Sequence, residues 1–263
     1  MLRRMSRWVH DDGAMHITFP GESAAYRAAR ARLLEQEVAL RRQMEAVAAA
    51  RRELPPGGLV PTDYVFEGEG PSGSVAKLRL SELFGGKRSL VVYSMMFPRD
   101  PGDARPGADT GATARLPLVE APCPSCTALL DQLDGAAGHV APHVAFVVSA
   151  GTSFDRLETF AGERGWRRLR LVSAAGNTFT RDYHGQSETG ASRPMLNVFS
   201  KNGDEIRHFW GSEMLYAGAD PGQDPRHVGP LEPSWNIFDL TREGRGEDWD
   251  ELLRYPDDPR CHR

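Results

Sequence analysis

Three cysteines in 263 residues are too few for a scaffold stapled by several disulfides. Lysine is nearly missing: Lys77, Lys87 and Lys201 are the only ones, so the 32 basic residues are almost all arginine. That skew reads as coding bias rather than function. Excess positive charge is absent too, the net charge being −4, which leaves no electrostatic case for nucleic acid as a partner. No run of about 18 apolar residues occurs, so no membrane-spanning helix is expected. The first ten residues are arginine-rich, with no apolar stretch of a secretory leader behind them. The expectation is a soluble cytoplasmic protein. With 40% hydrophobic residues the chain should fold, and its length suits one large domain with extensions or two small ones.

The pattern along the chain divides it into an N-terminal arm and helix (1–57), a main domain (58–255) and a polar tail (256–263). From Ser23 to Glu53 the sequence is strongly helical. Tyr26, Leu33, Leu40 and Val47 recur every seven residues, Leu34 and Met44 widen the stripe, and Pro55-Pro56-Gly57-Gly58 ends it. Such a stripe suits a face laid on the helix's own domain, or a homodimer through paired N-terminal helices. Short strands are expected at Asp63–Phe66 and Leu78–Leu80, and a central strand, apolar on both faces, at Ser89–Phe97. Residues 98–122 carry five prolines and three glycines and no period, as befits a lid, a binding loop or a mobile segment. Beyond it come a helix from Thr127 to Leu133 stopped by Asp134-Gly135, and a buried strand at His143–Ser149. A helix follows from Phe154 to Arg164, capped by Thr152-Ser153 and stopped by Gly165. Strands are expected at Leu169–Val172 and Pro194–Ser200. Asn202-Gly203 then turns Glu205–Trp210 back antiparallel. This order predicts an α/β sandwich with a mixed sheet.

The chemistry-bearing motif is Cys123-Pro124-Ser125-Cys126, two thiols within one helical turn after a buried strand. Pro124 suits the first helical turn, where its missing N–H costs nothing, and this puts Cys123 at the helix N-terminus. Free N–H groups and the positive end of the helix dipole favour a thiolate there. Cys123 is therefore the expected attacking sulfur, and Cys126 the resolving one. Cys261, near the C-terminus, reads as a bystander. His184 and His208 are histidines that could approach the pair, and Tyr93, Tyr183, Trp210 and Trp235 are aromatics that could line a cleft.

The succession of strand, Cys-x-x-Cys, helix, strand, helix and proline-led hairpin resembles the thioredoxin fold: a mixed central sheet flanked by helices, here with a long N-terminal helix and an extended loop before the cysteines. The finer resemblance is to a bacterial thioredoxin-like family of unknown function, a predicted dithiol–disulfide oxidoreductase. It is carried by Asp63-Tyr64-Val65-Phe66-Glu67-Gly68, Leu83-Phe84-Gly85-Gly86, Val91-Val92-Tyr93 through Met96-Phe97, the cysteine motif, and Phe238-Asp239-Leu240-Thr241 with Gly244-Arg245. The resemblance implies a cis-proline at Pro194 beside the cysteines, with Arg193 close enough to favour a thiolate or bind an anionic substrate. It implies no cofactor, and a protein or small-molecule thiol or disulfide as partner. Two departures stand out: the 98–122 segment is longer than usual, and Ser94 occupies a place where relatives often carry histidine, in the strand beneath the site.

Three other readings compete. A peroxiredoxin-like peroxidase would share the Leu80–Phe84 turn, but Glu120 stands where that branch places Thr or Ser. A copper- or zinc-binding protein would use both cysteines and a histidine such as His184 or His208, yet no second ligand pair has the required spacing. The last is a non-catalytic module binding a partner through the long helix.

Overall fold

The computed structural model describes residues 17–224, 226–246 and 249–255, and Cys261 lies outside them. The chain forms two compact units, one up to Leu54 and one from Pro55. In the first, helix α1 (Ala24–Arg52) starts where the Ser23 hydroxyl accepts the Tyr26 N–H at 3.1 Å, and it ends with Arg51 and Arg52 in its last turn. No residue of α1 is buried. The expected stripe is uncovered, with Tyr26, Leu33, Leu40 and Val47 each 39–61% exposed.

The second unit is a seven-stranded sheet in the order β2-β1-β5-β4-β3-β6-β7. Its strands are β1 (Val65–Glu69), β2 (Val75–Arg79), β3 (Ser89–Met95), β4 (Ala145–Ala150), β5 (Arg170–Ser173), β6 (Met195–Asn202) and β7 (Glu205–Gly211). Central β3 runs parallel to β4 and antiparallel to β6, and β5 runs parallel to β4, so the sheet is mixed as expected. Helices α3 (Pro124–Val140) and α4 (Phe154–Arg164) accompany three one-turn or two-turn pieces: α2 (Leu80–Leu83), α5 (Phe179–Asp182) and α6 (Pro233–Phe238).

Alternation along the strands divides the core in two. Tyr93, Met95, Val148 and Ala150 join Leu129 and Leu130 of α3 and Leu157 and Phe160 of α4 on one face. Leu90, Val92, Val147 and Val172 meet Phe66, Leu83, Phe179 and Phe199 on the other. The bounds of α4 match the expectation, with Ser153 as N-cap and Gly165 in the left-handed conformation (φ 75°) closing it. Helix α3 does not stop at Asp134-Gly135. Asp134 instead turns its carboxylate to the backbone N–H groups of Arg167, Arg168 and Leu169 (2.8–3.1 Å), and the helix runs on to Val140.

Candidate active site

Met96, at the end of β3, holds the start of α3 by both ends of its peptide units. Its carbonyl accepts the Cys123 N–H at 3.0 Å, and its N–H donates to Cys126 Sγ at 3.5 Å. Cys123 is the N-cap of α3, with Pro124 in the first turn, and its sulfur accepts the Cys126 N–H at 3.5 Å. The Tyr93 hydroxyl donates to Cys126 Sγ at 3.3 Å. The two sulfurs thus have different surroundings. The Cys126 thiol hydrogen bond lowers the Cys123 pKa most; burial opposes it, and the Cys126 N–H, the Arg105 charge and the Ser125 N–H add to it. Together they bring it from 9.0 to about 7. Burial, then the bond to Cys123 and its charge, push Cys126 well above an ordinary thiol. Both are reduced and both are buried.

The cover over Cys123 is the 98–122 loop, and it contributes the site's charge. Arg99, fully buried, donates to the Pro122 carbonyl through Nε (3.2 Å) and Nη2 (2.8 Å) and to the Arg105 carbonyl through Nη1 (2.7 Å). That folds the loop back on the residue before Cys123. Arg105 is gripped by both oxygens of Asp103 at 2.9 Å, and its Nη2 reaches Cys123 Sγ at 3.9 Å. Its Nη1 meets Ser125 Oγ at 2.9 Å and Glu251 Oε2 at 3.4 Å. Glu251, itself buried, also accepts from Ser125 Oγ (2.9 Å) and the Trp235 indole (2.8 Å), so residues near the C-terminus close the other side. Arg164 holds that segment by the Leu253 carbonyl (2.7 Å), and Arg254 pairs with Asp109 of the loop.

A cavity of about 330 Å³ lies beneath this cover, with Cys126, Tyr93, Met96, Pro194 and Trp235 in its wall. Pro194 therefore shares a cavity wall with Cys126, but Arg193–Pro194 is trans. The one cis peptide bond among the described residues is Phe97–Pro98. Arg193 is not in the cavity. It lies over the Tyr216 ring (5.7 Å to the centroid) and lines a separate cleft with Tyr183, His184 and His208. Consecutive residues of an extended chain point to opposite faces, so Pro194 and Arg193 divide between the two. The cation beside Cys123 is Arg105.

The same alternation moves Ser94 off the site. It faces away from Tyr93, its hydroxyl 3.4 Å from that of Ser149, and Gly185 lies so close that a Cβ there would meet Ser94 Cβ at 2.8 Å. His208 bonds Asn197 at 2.9 Å and stacks on Tyr183 in the second cleft. Trp210 packs against the core on the cysteine side. Glu120 faces outward to Arg156 at 2.9 Å. Among the described residues no group of three or more His, Cys, Asp or Glu is placed to hold a metal ion. Nor is any described helix long and apolar enough to cross a membrane.

A family described as "Bacterial protein of unknown function (DUF899)" matches residues 17–258. No curated protein matches the sequence. Among solved structures, a cysteine-to-serine mutant of Xanthomonas campestris peroxiredoxin Q aligns at 13% identity and TM-score 0.39, over 59% of this chain and 84% of that one. Plasmodium yoelii thioredoxin peroxidase I aligns at 12% and 0.40, over 75% and 99%. An exposed lipoprotein thioredoxin of Streptococcus pneumoniae aligns at 12% and 0.35, over 66% and 99%. These are likenesses of chain trace alone.

Proposed function

The chain belongs to this bacterial DUF899 family, and we propose that it is a thiol–disulfide oxidoreductase working through Cys123 and Cys126. The observation that carries this is the hydrogen-bonded pair itself: one sulfur capping a helix beside Arg105, the other held under Tyr93 and Met96. Cys123 is the sulfur prepared to exist as thiolate, and Cys126 the one prepared to stay protonated or bridged. The substrate is a thiol or disulfide admitted along Pro194. A reducing cytoplasm would return the pair to the dithiol described above.

Redox titration with thiol labelling should give one reversible two-electron couple that is lost in Cys123→Ser. A pair that stays reduced or oxidised at every poise sinks the proposal. Peroxide consumption by the reduced protein would point to the peroxidase instead, for which the outward-facing Glu120 offers no support.

We also propose that α1 pairs with the same helix of a second copy, because its seven-residue apolar stripe lies uncovered. Light scattering should give twice 29.0 kDa for the native chain, and the monomer mass for Leu33→Glu with Leu40→Glu. A native monomer rules this out.

A further inference from the structure

The wall of the cysteine cavity contains Cys126 but not Cys123, and its polar groups are unevenly matched. Its two arginines are both engaged: Arg105 by Asp103, Ser125 and Glu251, and Arg226 by Asp239 at 2.6 Å. Asp224 faces Arg245 at 3.6 Å. Two carboxyls are left over. His227 serves only as wall, since both of its ring nitrogens are shut off from water and hence from anything in the cavity. The carboxyls of Glu232 and Asp250 have no hydrogen-bond or ion-pair partner among the described residues. Burial, and then the charges of Glu251 and Asp224, raise Glu232 to about 7, while burial lowers His227 to about 4 and keeps its ring neutral. With Asp224, Glu232, Asp250 and Glu251 in the wall against two arginines, the cavity favours a ligand that brings donors and positive charge. An ammonium has three donors and no acceptor. The adjoining sulfur calls for a second sulfur.

We propose that this cavity binds a small thiol carrying an amine, its ammonium facing Glu232, and that its thiolate attacks Cys126 of the oxidised pair. This rests on Cys123 and Cys126 being an exchanging pair. In the first step the ligand sulfur bonds to Cys126 Sγ, the Cys123–Cys126 bond breaks, and Cys123 departs as thiolate beside Arg105. A lower-pKa thiol leaves faster, which selects Cys123 for that role. A second thiolate of the same kind then attacks the ligand sulfur. The small disulfide is released and Cys126 takes up a proton under the Tyr93 hydroxyl. Two thiols are oxidised to one disulfide, and the protein disulfide is reduced to two thiols. A volume of about 330 Å³ suits molecules of this size and not a folded protein.

The test is single-turnover reduction of the oxidised full chain by cysteamine, 2-mercaptoethanol and 3-mercaptopropionate, with rates compared per thiolate. Cysteamine should lead 3-mercaptopropionate by about tenfold or more, with 2-mercaptoethanol between, and Glu232→Gln should shrink that lead to about twofold. Asp250→Asn, at the exposed rim, should shrink it less. Acid-quenched peptide mapping should find the cysteamine adduct on Cys126. Equal rates for the three thiols, or an adduct on Cys123, overturn the inference. Dithiothreitol separates the two levels: if it reduces the pair while the three thiols show no order, only the amine site falls. If it cannot reduce the pair, the exchange reading falls too.

Discussion

Replacing Arg99 with leucine should cost about 3–5 kcal/mol of stability, the range for removing one member of a buried, hydrogen-bonded charge group. The guanidinium is sealed from solvent and satisfies two carbonyls, those of Pro122 and Arg105. Leucine fills much of the volume but leaves those oxygens buried without donors. Asp103 would also lose one of its two cationic neighbours, Arg99 being 3.9 Å away. Arg156→Ala is the natural control. It breaks a pair with Glu120 in which both side chains are nearly half exposed, and it should cost less than about 1 kcal/mol. Urea unfolding of both variants is the measurement, and equal midpoints would show that Arg99 does not brace the loop.

Cys126→Ala should move Cys123 from about 7 back toward 9.0. At pH 7 the thiolate fraction should then fall clearly below the about one half expected for a pKa of about 7. The reason is the order of causes: the Cys126 thiol is the largest influence lowering Cys123, ahead of the Arg105 charge. Arg105→Ala should therefore raise the same pKa by a smaller step. Thiolate absorbance against pH reads both. A Cys126→Ala protein that still titrates near 7 would mean that the helix terminus and Arg105 suffice alone.

Much of the fold is legible because its signals are local. A cap and a left-handed glycine bracket α4, and Asn202-Gly203 marks the turn between β6 and β7. The pairing of β1 with β5 is not legible, because Glu67 and Ser173 meet across more than a hundred residues with no pattern connecting them. Asp134-Gly135 reads as a stop only if Asp134 serves its own helix, and it serves the chain ahead of β5 instead.

At the site, the cysteines were visible since both lie in one tetrapeptide. Arg105 was not, because it sits in an aperiodic loop 18 residues upstream of Cys123. Its one trace in the sequence is an arginine-bearing, proline-rich segment that ends at the motif. Glu251 comes from 126 residues beyond Ser125 and left no trace at all. Arg193 was misplaced for a simple reason: adjacency to Pro194 in an extended chain sends a side chain to the other face.

Met96 gives the site a division of labour. Its backbone ties both cysteines to the central strand, whereas the parts of the cover are tied to one another, as Arg99 to Pro122 and Arg254 to Asp109, and to helices α3 and α4 through Ser125, Glu163 and Arg164. The reacting sulfurs thus belong to the sheet, and the surfaces that choose what reaches them belong to a loop and a C-terminal stretch. A change in residues 98–122 or 249–255 would therefore alter what reaches the sulfurs and, through Arg105, the charge beside Cys123, while the backbone bonds from Met96 stay in place.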